Sequence, residues 1–501
     1  MTLNASGPIS LGGSTTGESI NLELGQSATA SISLGSFNTR GLAGVPSGAI
    51  ALPTNFWGKT GYPAVSDFIS RVYSAGQWSG PVMQNALTDS SGNIYTYGTE
   101  NNTGIMWVAK FNASGTIQWQ KKYTLSSGAT INTSGSACID SSNNLYFIAT
   151  DYTTYKNGYL VKINSSGAQL FCRPVTVPAA WNFYDATSVR LDSAGNPIAL
   201  FRIQNTSTYE SPGLVVKFNT SGDINWQKYF VGSPAGNFVG GNYLYIDSSD
   251  NIYVNGTAYY SFQNYTVTVK INSSGTFQWS YAFWVANPSA AYTTLGPAVN
   301  SSNIYAVQGV YDGSSLYKMM VGTIALASGA FTPLAQYSEL FGYQVTLTSD
   351  TSNNLYLLAA RQGAAKYTLM KFNTSGVLQY QTDISRAYEG GSYYYPAFSN
   401  VKVNGTSVVL VGTGGTYSPG TNGALMLQIP ADNSLSGSTL TYATGASTTL
   451  SAGTFPSIAL FGYSQSNWAY ASLAIGPLSV YPNLTMTITD TTWSVQRTLQ
   501  P

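Results

Sequence analysis

The chain contains no histidine among its 501 residues. No imidazole base, no Ser/His or Cys/His pair and no histidine metal ligand can therefore operate, and any catalysis would rest on carboxylates, tyrosine or lysine. Charge is scarce as well: 21 Lys+Arg and 20 Asp+Glu make 8% of the chain, against about 25% in an ordinary globular protein. A formal net charge of +1 supplies no basic stripe for phosphates, which predicts no nucleic-acid partner. Long hydrophobic runs are missing, because Gly, Ser, Thr and Asn interrupt each one before it could span a bilayer. A soluble chain without membrane insertion is expected. The first basic residue is Arg40, and the start has neither a basic nor an apolar leader region, so no secretory signal is expected. Two cysteines, Cys138 and Cys172, match no disulfide framework, zinc site or redox pair and are expected to be small apolar packing residues.

What is abundant points to strands and tight turns: 37 Tyr and 51 Gly, with many Ser, Thr and Asn. The expected class is all-β. Residues 1–61 hold no tyrosine, and this shift in aromatic usage marks a boundary. Before it, Ile20, Leu22 and Leu24, then Ala28, Ala30, Ile32 and Leu34, alternate with polar residues around Gly25, the pattern of a β-hairpin with one apolar face. A module of roughly 60 residues buries little surface by itself, which predicts docking on a partner or on symmetry copies.

Beyond the boundary two phrases repeat. The first, Asp89-Ser-Ser-Gly-Asn-Ile-Tyr95, restarts at Asp140, Asp192, Asp247, Asn300, Asp350 and, degenerately, Asn404, with spacings of 51, 52, 55, 53, 50 and 54 residues. The second follows each: Lys110-Phe-Asn-Ala-Ser-Gly115, with counterparts at Lys162, Lys217, Lys270 and Lys371, shortened to Ala327-Ser-Gly329 in the fifth unit and to Pro430-Ala-Asp-Asn433 in the seventh. Two turns in register within about 50 residues mean four short strands, the unit of a β-propeller blade, since one small sheet cannot cover its own faces. Seven units predict seven blades, with an eighth as the alternative if Phe68 to Ser74 and residues 456–501 pair as a degenerate blade from both termini. In the first unit the strands are expected at Ala86–Thr88, Ile94–Gly98, Ile105–Phe111 and Thr116–Tyr123, with Trp119, Trp226 and Trp279 filling the gap between splayed outer strands. The expected domains are a β attachment module over 1–63, the propeller over 64–455, and a C-terminal β segment over 456–501 that closes the ring or forms a small extra sheet.

The Asn-x-Ser-Gly phrases match a glycosylation pattern but suit hairpin turns, where Asn and Gly adopt positive φ. One carboxylate per Asp-Ser-Ser-Gly-Asn turn is too little for a calcium site, and an Asx-turn explains it better. Asp223-Ile-Asn-Trp226 is weakly similar to the Asp-box of sialidase propellers, yet most copies lack the aspartate and the chain has only 8 arginines. No carboxylate pair sits in a signature for glycoside hydrolysis, so no catalytic residue, cofactor or metal is assigned and a non-enzymatic role is expected. The candidate ligand-binding residues are Tyr388, Tyr393, Tyr394 and Tyr395 in Tyr388-Glu-Gly-Gly-Ser-Tyr-Tyr-Tyr-Pro396, either packing on the ring face or stacking on a glycan.

The opening resembles a segment of tailed-bacteriophage structural proteins. It runs through Ser6-Gly-Pro-Ile-Ser10, Arg40-Gly-Leu-Ala-Gly44, Ser47-Gly-Ala-Ile-Ala-Leu52 and Phe56-Trp-Gly-Lys59, with Pro53 and Thr54 inserted and Trp57 in place of the usual Tyr. The remainder resembles bacterial β-propeller repeats, a likeness of fold alone. The resemblance implies a virion component assembled in the bacterial cytoplasm: a tail, baseplate or fibre protein bound to other tail proteins through residues 1–60 and presenting a propeller to host-surface glycans. Whether it forms a homo-oligomer stays open. A bacterial adhesin or carbohydrate-binding propeller and a polysaccharide-degrading enzyme are the alternatives.

Overall fold

A computed structural model of the chain describes mainly residues 81–433, with gaps at connections, together with strands nearer both ends and a few positions between 10 and 29. Seven antiparallel sheets form a seven-bladed β-propeller. Blade 1 comprises Pro81–Thr88, Ile94–Glu100, Met106–Phe111 and Ile117–Leu125, each paired with the next. These bounds lie close to the expected ones, and each strand except the third is longer than expected. Blade 2 is built on Leu145–Asp151, Asn157–Ile163 and Gln169–Thr176, with the short pieces Ile131–Asn132 and Cys138–Ile139 on its inner edge. Blade 3 comprises Trp181–Leu191, Pro197–Asn205, Gly213–Phe218 and Ile224–Gly232. The inner strands of blades 4 to 7 are Asn237–Ile246, Ala290–Asn300, Leu340–Ser349 and Ala397–Asn404. Inner strands of neighbouring blades touch around the ring, the last against the first.

The two-residue period of a strand explains how the blades stack. Leu145–Asp151 is buried at every position. Its Leu145, Phe147 and Ala149 join Leu87, Tyr95 and Tyr97 of blade 1 in one core cluster, while Tyr146 and Ile148 join Val189, Phe201 and Leu214 of blade 3 in another. Each middle strand thus serves two interfaces. The tryptophans do as expected: Trp119, Trp226 and Trp279 lie half-buried against the clusters that join their blades to the next. Trp119 Nε1 also donates to the Ser165 carbonyl of blade 2 at 3.2 Å.

No eighth blade forms among the described residues. Phe68–Tyr73 is the fourth strand of blade 7, between Asn422–Pro430 and Val495–Leu499. Other late strands add a fifth strand to an outer edge: Ser447–Ala452 on blade 6, where Thr439–Thr441 pairs with it in turn, Ser464–Asn467 on blade 4, Tyr470–Ala474 on blade 3 and Met486–Asp490 on blade 1. Blades 2 and 5 receive none among the described residues. Their outer strands, Gln169–Thr176 and Phe331–Ser338, contain Pro174 and Pro333, whereas the other outer strands contain no proline. Proline offers no N–H to a further strand and blunts an edge.

Contacts divide the chain into two compact units, one of 1–68 with 499–501 and one of 69–498. In the first, Ser10 and Ser19 form a parallel bridge and Ile20 is buried. Most of the expected hairpin over 20–34 and of the attachment module over 1–63 lies outside the described residues.

Candidate functional site

Two sets of loops divide the ring into two faces, because antiparallel hairpins send the first and third turns of a blade one way and the second turn and the blade-to-blade connection the other. The repeated phrases occupy the first face. At Asp247, Oδ1 accepts the backbone N–H groups of Ser249 and Asn251 at 2.9 Å each, and Oδ2 accepts Asn251 Nδ2 and the Tyr253 hydroxyl, also at 2.9 Å each. Asp89, Asp140 and Asp350 repeat this set with Tyr95, Tyr146 and Tyr356. These are the Asx-turns expected from the sequence.

The lysine that opens the second phrase is brought back over the first turn. Lys110, Lys162, Lys270 and Lys371 each lie 4.7–5.2 Å from the ring centre of the turn tyrosine, a cation–π geometry. In blade 3 the tyrosine is replaced by Ile198, and Lys217 reaches Asp192 directly at 2.9 Å. Burial pushes the Asp140, Asp192 and Asp247 carboxyls up, but hydrogen bonds from Asn144, Asn196 and Asn251, and Lys217 at Asp192, outweigh it and leave all three below the usual range. This chemistry is satisfied internally and holds turns together. At Asn219-Thr-Ser-Gly-Asp223, Asn219 Oδ1 accepts the backbone N–H of Ser221 and Asp223, and Gly222 at φ +85° completes the turn. Cys172 is wholly buried, Cys138 is half-buried, and burial pushes both thiols up to about 12.

The second face carries something different at the junction of blades 2 and 3. The loops Asp151-Tyr-Thr-Thr-Tyr155 and Asn205-Thr-Ser-Thr-Tyr209 adopt the same turn: Asp151 Oδ1 caps the N–H groups of Thr153 and Thr154, and Asn205 Oδ1 caps those of Ser207 and Thr208. Each turn ends with a tyrosine N–H donating to the carbonyl of its first residue. Both tyrosines are held at φ +59°, a region that bulky side chains rarely occupy. Tyr155 is 40% and Tyr209 72% exposed, and Tyr184 beside them is 48% exposed. No other aromatic among the described residues is so exposed.

The support beneath these rings is rigid. Lys156 Nζ donates to Ala179 O at 2.9 Å, Trp181 O at 2.8 Å and Asn182 Oδ1 at 2.7 Å, fixing the connection between the blades. Phe183 N donates to Tyr155 O at 2.7 Å and Thr206 N to Ala180 O at 2.9 Å, so both turns are tied to that connection. The Arg202 guanidinium lies 4.3 Å from the Tyr184 ring centre and pairs with Asp185, which also accepts the Tyr152 hydroxyl at 3.5 Å. Burial pushes the Asp185 carboxyl up further than Arg202 pulls it down. The result is three projecting tyrosine rings flanked by a charged hydrogen-bonding pair.

The tyrosine loop singled out in the sequence belongs to the same face, between blades 6 and 7. Tyr388 pairs with Tyr393 and Glu389 with Ser392 in a short hairpin, and Tyr388 also pairs with Ser447. Tyr394 and Tyr395 lie outside the described residues. Sequence reasoning passed over Tyr155 and Tyr209, although Asp/Asn-x-x-x-Tyr recurs at 54 residues, close to the blade period. Among the described residues no group of three His, Cys, Asp or Glu side chains is placed to hold a metal ion.

No protein-family model and no curated protein matches the chain. Solved structures resemble it at the level of architecture. The polysaccharide lyase Uly1 aligns with a TM-score of 0.44 at 8% identity, covering 72% of this chain and 92% of its own. Drosophila Semaphorin 2a aligns with a TM-score of 0.38 at 9% identity, covering 72% and 75%. A thermostable family-43 glycoside hydrolase aligns with a TM-score of 0.31 at 8% identity, covering 65% and 93%.

Proposed function

We propose that this chain is a non-enzymatic recognition propeller that binds surface glycans through Tyr155, Tyr184 and Tyr209. The observation that carries the reading is the pair of tyrosines at φ +59° in adjacent blades, both exposed. A left-handed position costs a non-glycine residue on the order of 1 kcal/mol or more. Tyr155 recovers part of it by edge-on contact with the Tyr152 ring at 5.6 Å, but Tyr209, 72% exposed, returns little to stability, which supports a role in what the rings touch outside the molecule. Flat rings with a hydroxyl stack on the apolar face of a sugar, and the Arg202–Asp185 pair supplies donors and acceptors for its hydroxyl groups. The clamp made by Lys156 holds the rings in place before binding, which reduces the entropy lost on association.

The likeness of residues 6–59 to tailed-phage structural proteins supports the reading of this propeller as part of a virion tail, baseplate or fibre. There residues 1–60 would join other tail proteins and the ring would face the host. A bacterial adhesin would use the same tyrosines, and a polysaccharide-degrading enzyme would turn its glycan over. The test is binding of the full chain to purified host-surface polysaccharide, with Tyr155→Ala, Tyr184→Ala and Tyr209→Ala combined. Loss of at least about tenfold in affinity by a variant that still unfolds cooperatively, with no new reducing ends or unsaturated products, supports the reading. Undiminished binding by the triple variant removes this site, and product release makes the protein an enzyme.

A further inference from the structure

The inner strands present one equivalent position, two residues before the Asp or Asn that opens the first phrase, at the same level in every blade but the fifth, where a register shift sets Ala298 opposite Ile304. It holds Leu87, Cys138, Arg190, Tyr245, Ala298, Thr348 and Lys402. Strand pairing confirms the level: Leu87 faces Tyr95, Cys138 faces Tyr146, Arg190 faces Ile198, Tyr245 faces Tyr253, Thr348 faces Tyr356 and Lys402 faces Val409. Two cations therefore share one layer of the ring's inner wall, in blades 3 and 7, which lie on opposite sides of a seven-membered ring. The layer contains no carboxylate.

Among the described residues neither cation has an ion-pair partner. Arg190 Nη1 donates to Ser136 Oγ at 2.9 Å and to Val189 O at 2.8 Å, and Ser136 Oγ lies 2.9 Å from Ser188 Oγ. Its remaining N–H groups have no acceptor among the described residues. Lys402 has no hydrogen bond and no ion pair among the described residues. The strands packed against it, Pro81–Thr88, Leu340–Ser349, Leu355–Arg361 and Ser407–Gly415, carry Tyr343, Tyr356 and Arg361 as their ionisable residues and no acid. Around Arg190 the packed strands bring Tyr146, Asp151, Tyr159, Lys162, Arg202, Tyr243, Tyr245 and Cys138. Asp151 is taken up by its own loop and Asp185 by Arg202. Removal from bulk water, and then the Arg190 charge, push the Lys402 ammonium down to about 8. Both side chains are nevertheless only half-buried, so solvent reaches them.

Two cations in the same layer of the inner strands, Lys402 without a hydrogen bond or ion pair and neither with an acid partner among the described residues, are the complement of an anion. We propose that the central channel of the propeller binds a free tetrahedral oxyanion, phosphate or sulfate, between Arg190 and Lys402. This site is independent of the tyrosine face, and its failure would leave the glycan reading intact.

The experiment is calorimetric titration of the full chain with sodium sulfate at pH 7 against a sodium chloride reference of equal ionic strength, followed by thermal unfolding in both salts. Sulfate should bind at one site, and Lys402→Met should weaken it by at least about tenfold. The same variant should melt higher than the wild type in chloride, because it removes an uncompensated charge without losing a hydrogen bond. Lys402→Arg should keep binding. Sulfate holds its charge across the range, so wild-type affinity should fall as pH rises from 7 to 9 and Lys402 loses its proton. This profile decides the matter even if Lys402→Met fails to fold. Equal effects of sulfate on wild type and Lys402→Met, or an affinity that is flat from pH 7 to 9, would overturn the proposal.

Discussion

Asn404 in the last blade donates its Nδ2 hydrogen to the carbonyl oxygen of Gly92 in the first, at 3.0 Å across 312 residues of sequence. Asn404 opens the weakest copy of the first phrase, and in place of a carboxylate it carries an amide that can donate. The decay of the repeat at this point is thus a specialisation for joining the ends of the ring. Asn404→Asp should lose the donor and set a carboxylate against a carbonyl. It is expected to lower unfolding free energy by about 1–3 kcal/mol, measured by denaturant unfolding, while Asn404→Gln keeps part of it.

Closure also depends on Phe68–Tyr73, the fourth strand of blade 7. Deleting residues 1–60 should leave a folded ring, and deleting residues 1–75 should open it. Circular dichroism and size-exclusion chromatography distinguish the two outcomes. An unchanged fold after the longer deletion would mean that blade 7 manages with three strands.

The seven-fold repeat was legible because each turn needs particular chemistry. An Asx residue must cap the first hairpin and a glycine must take positive φ in the second, so the phrases survive in copies whose strands have diverged. The late strands were not legible as a belt. They add hydrogen bonds to outer edges, where the pairing asks for backbone and not for a periodic apolar face. The two prolines that mark the unbelted edges were in view, but their meaning appears only once the other five edges are seen to be occupied. For the site, tyrosine density drew attention to Tyr388–Tyr395, whereas exposure is a property of loops and selected Tyr155 and Tyr209, which stand in less tyrosine-dense stretches.

The belt gives a prediction of its own. Truncation after residue 455 removes the fifth strand from blades 1, 3, 4 and 7 and uncovers their outer strands, which carry no proline. Unpaired edges recruit other chains. The truncated protein should associate in a concentration-dependent way in analytical ultracentrifugation, and placing proline at Lys122 and Lys228 in those edges should reduce the association. A monodisperse truncated monomer would show that the belt does not protect edges.

Stability should depend on pH in three windows. Asp140, Asp192 and Asp247 lie below the usual carboxylate range, so their contribution is present above about pH 4 and is lost as pH falls through their native values. Lys402 lies at about 8 against an ordinary 10.5, so the unfolded chain holds the extra proton between those values and stability in chloride should rise with pH there. The buried Tyr97 and the partly buried Tyr380 are raised by removal from water, and their contribution is lost above about pH 10, where unfolded tyrosines ionise. Asp192→Asn should flatten part of the acid limb and cost about 2–3 kcal/mol, since Lys217 is left 8% exposed without its carboxylate. Lys402→Met should remove the rise above pH 8. Urea unfolding at intervals from pH 3 to 11 separates these windows.

Tyr209 gives the sharpest separation of stability from recognition. At φ +59° and 72% exposed, the residue favoured by the backbone is glycine, which takes this conformation without steric cost. Tyr209→Gly removes a ring that buries little and relieves a left-handed strain, partly offset by the greater freedom of glycine in the unfolded chain. The variant should be as stable as the wild type or more stable by about 0.5 kcal/mol. Its affinity for host-surface glycan should fall, because an aromatic anchor at a recognition surface contributes about 2 kcal/mol or more. Tyr155→Gly should lower affinity in the same way but also lose the edge-on contact with Tyr152, and Tyr209→Phe should lose only what the hydroxyl contributes. Lowered stability with unchanged binding in the glycine variants would show that the strained turns serve the fold, and recognition would then have to be sought elsewhere on the ring.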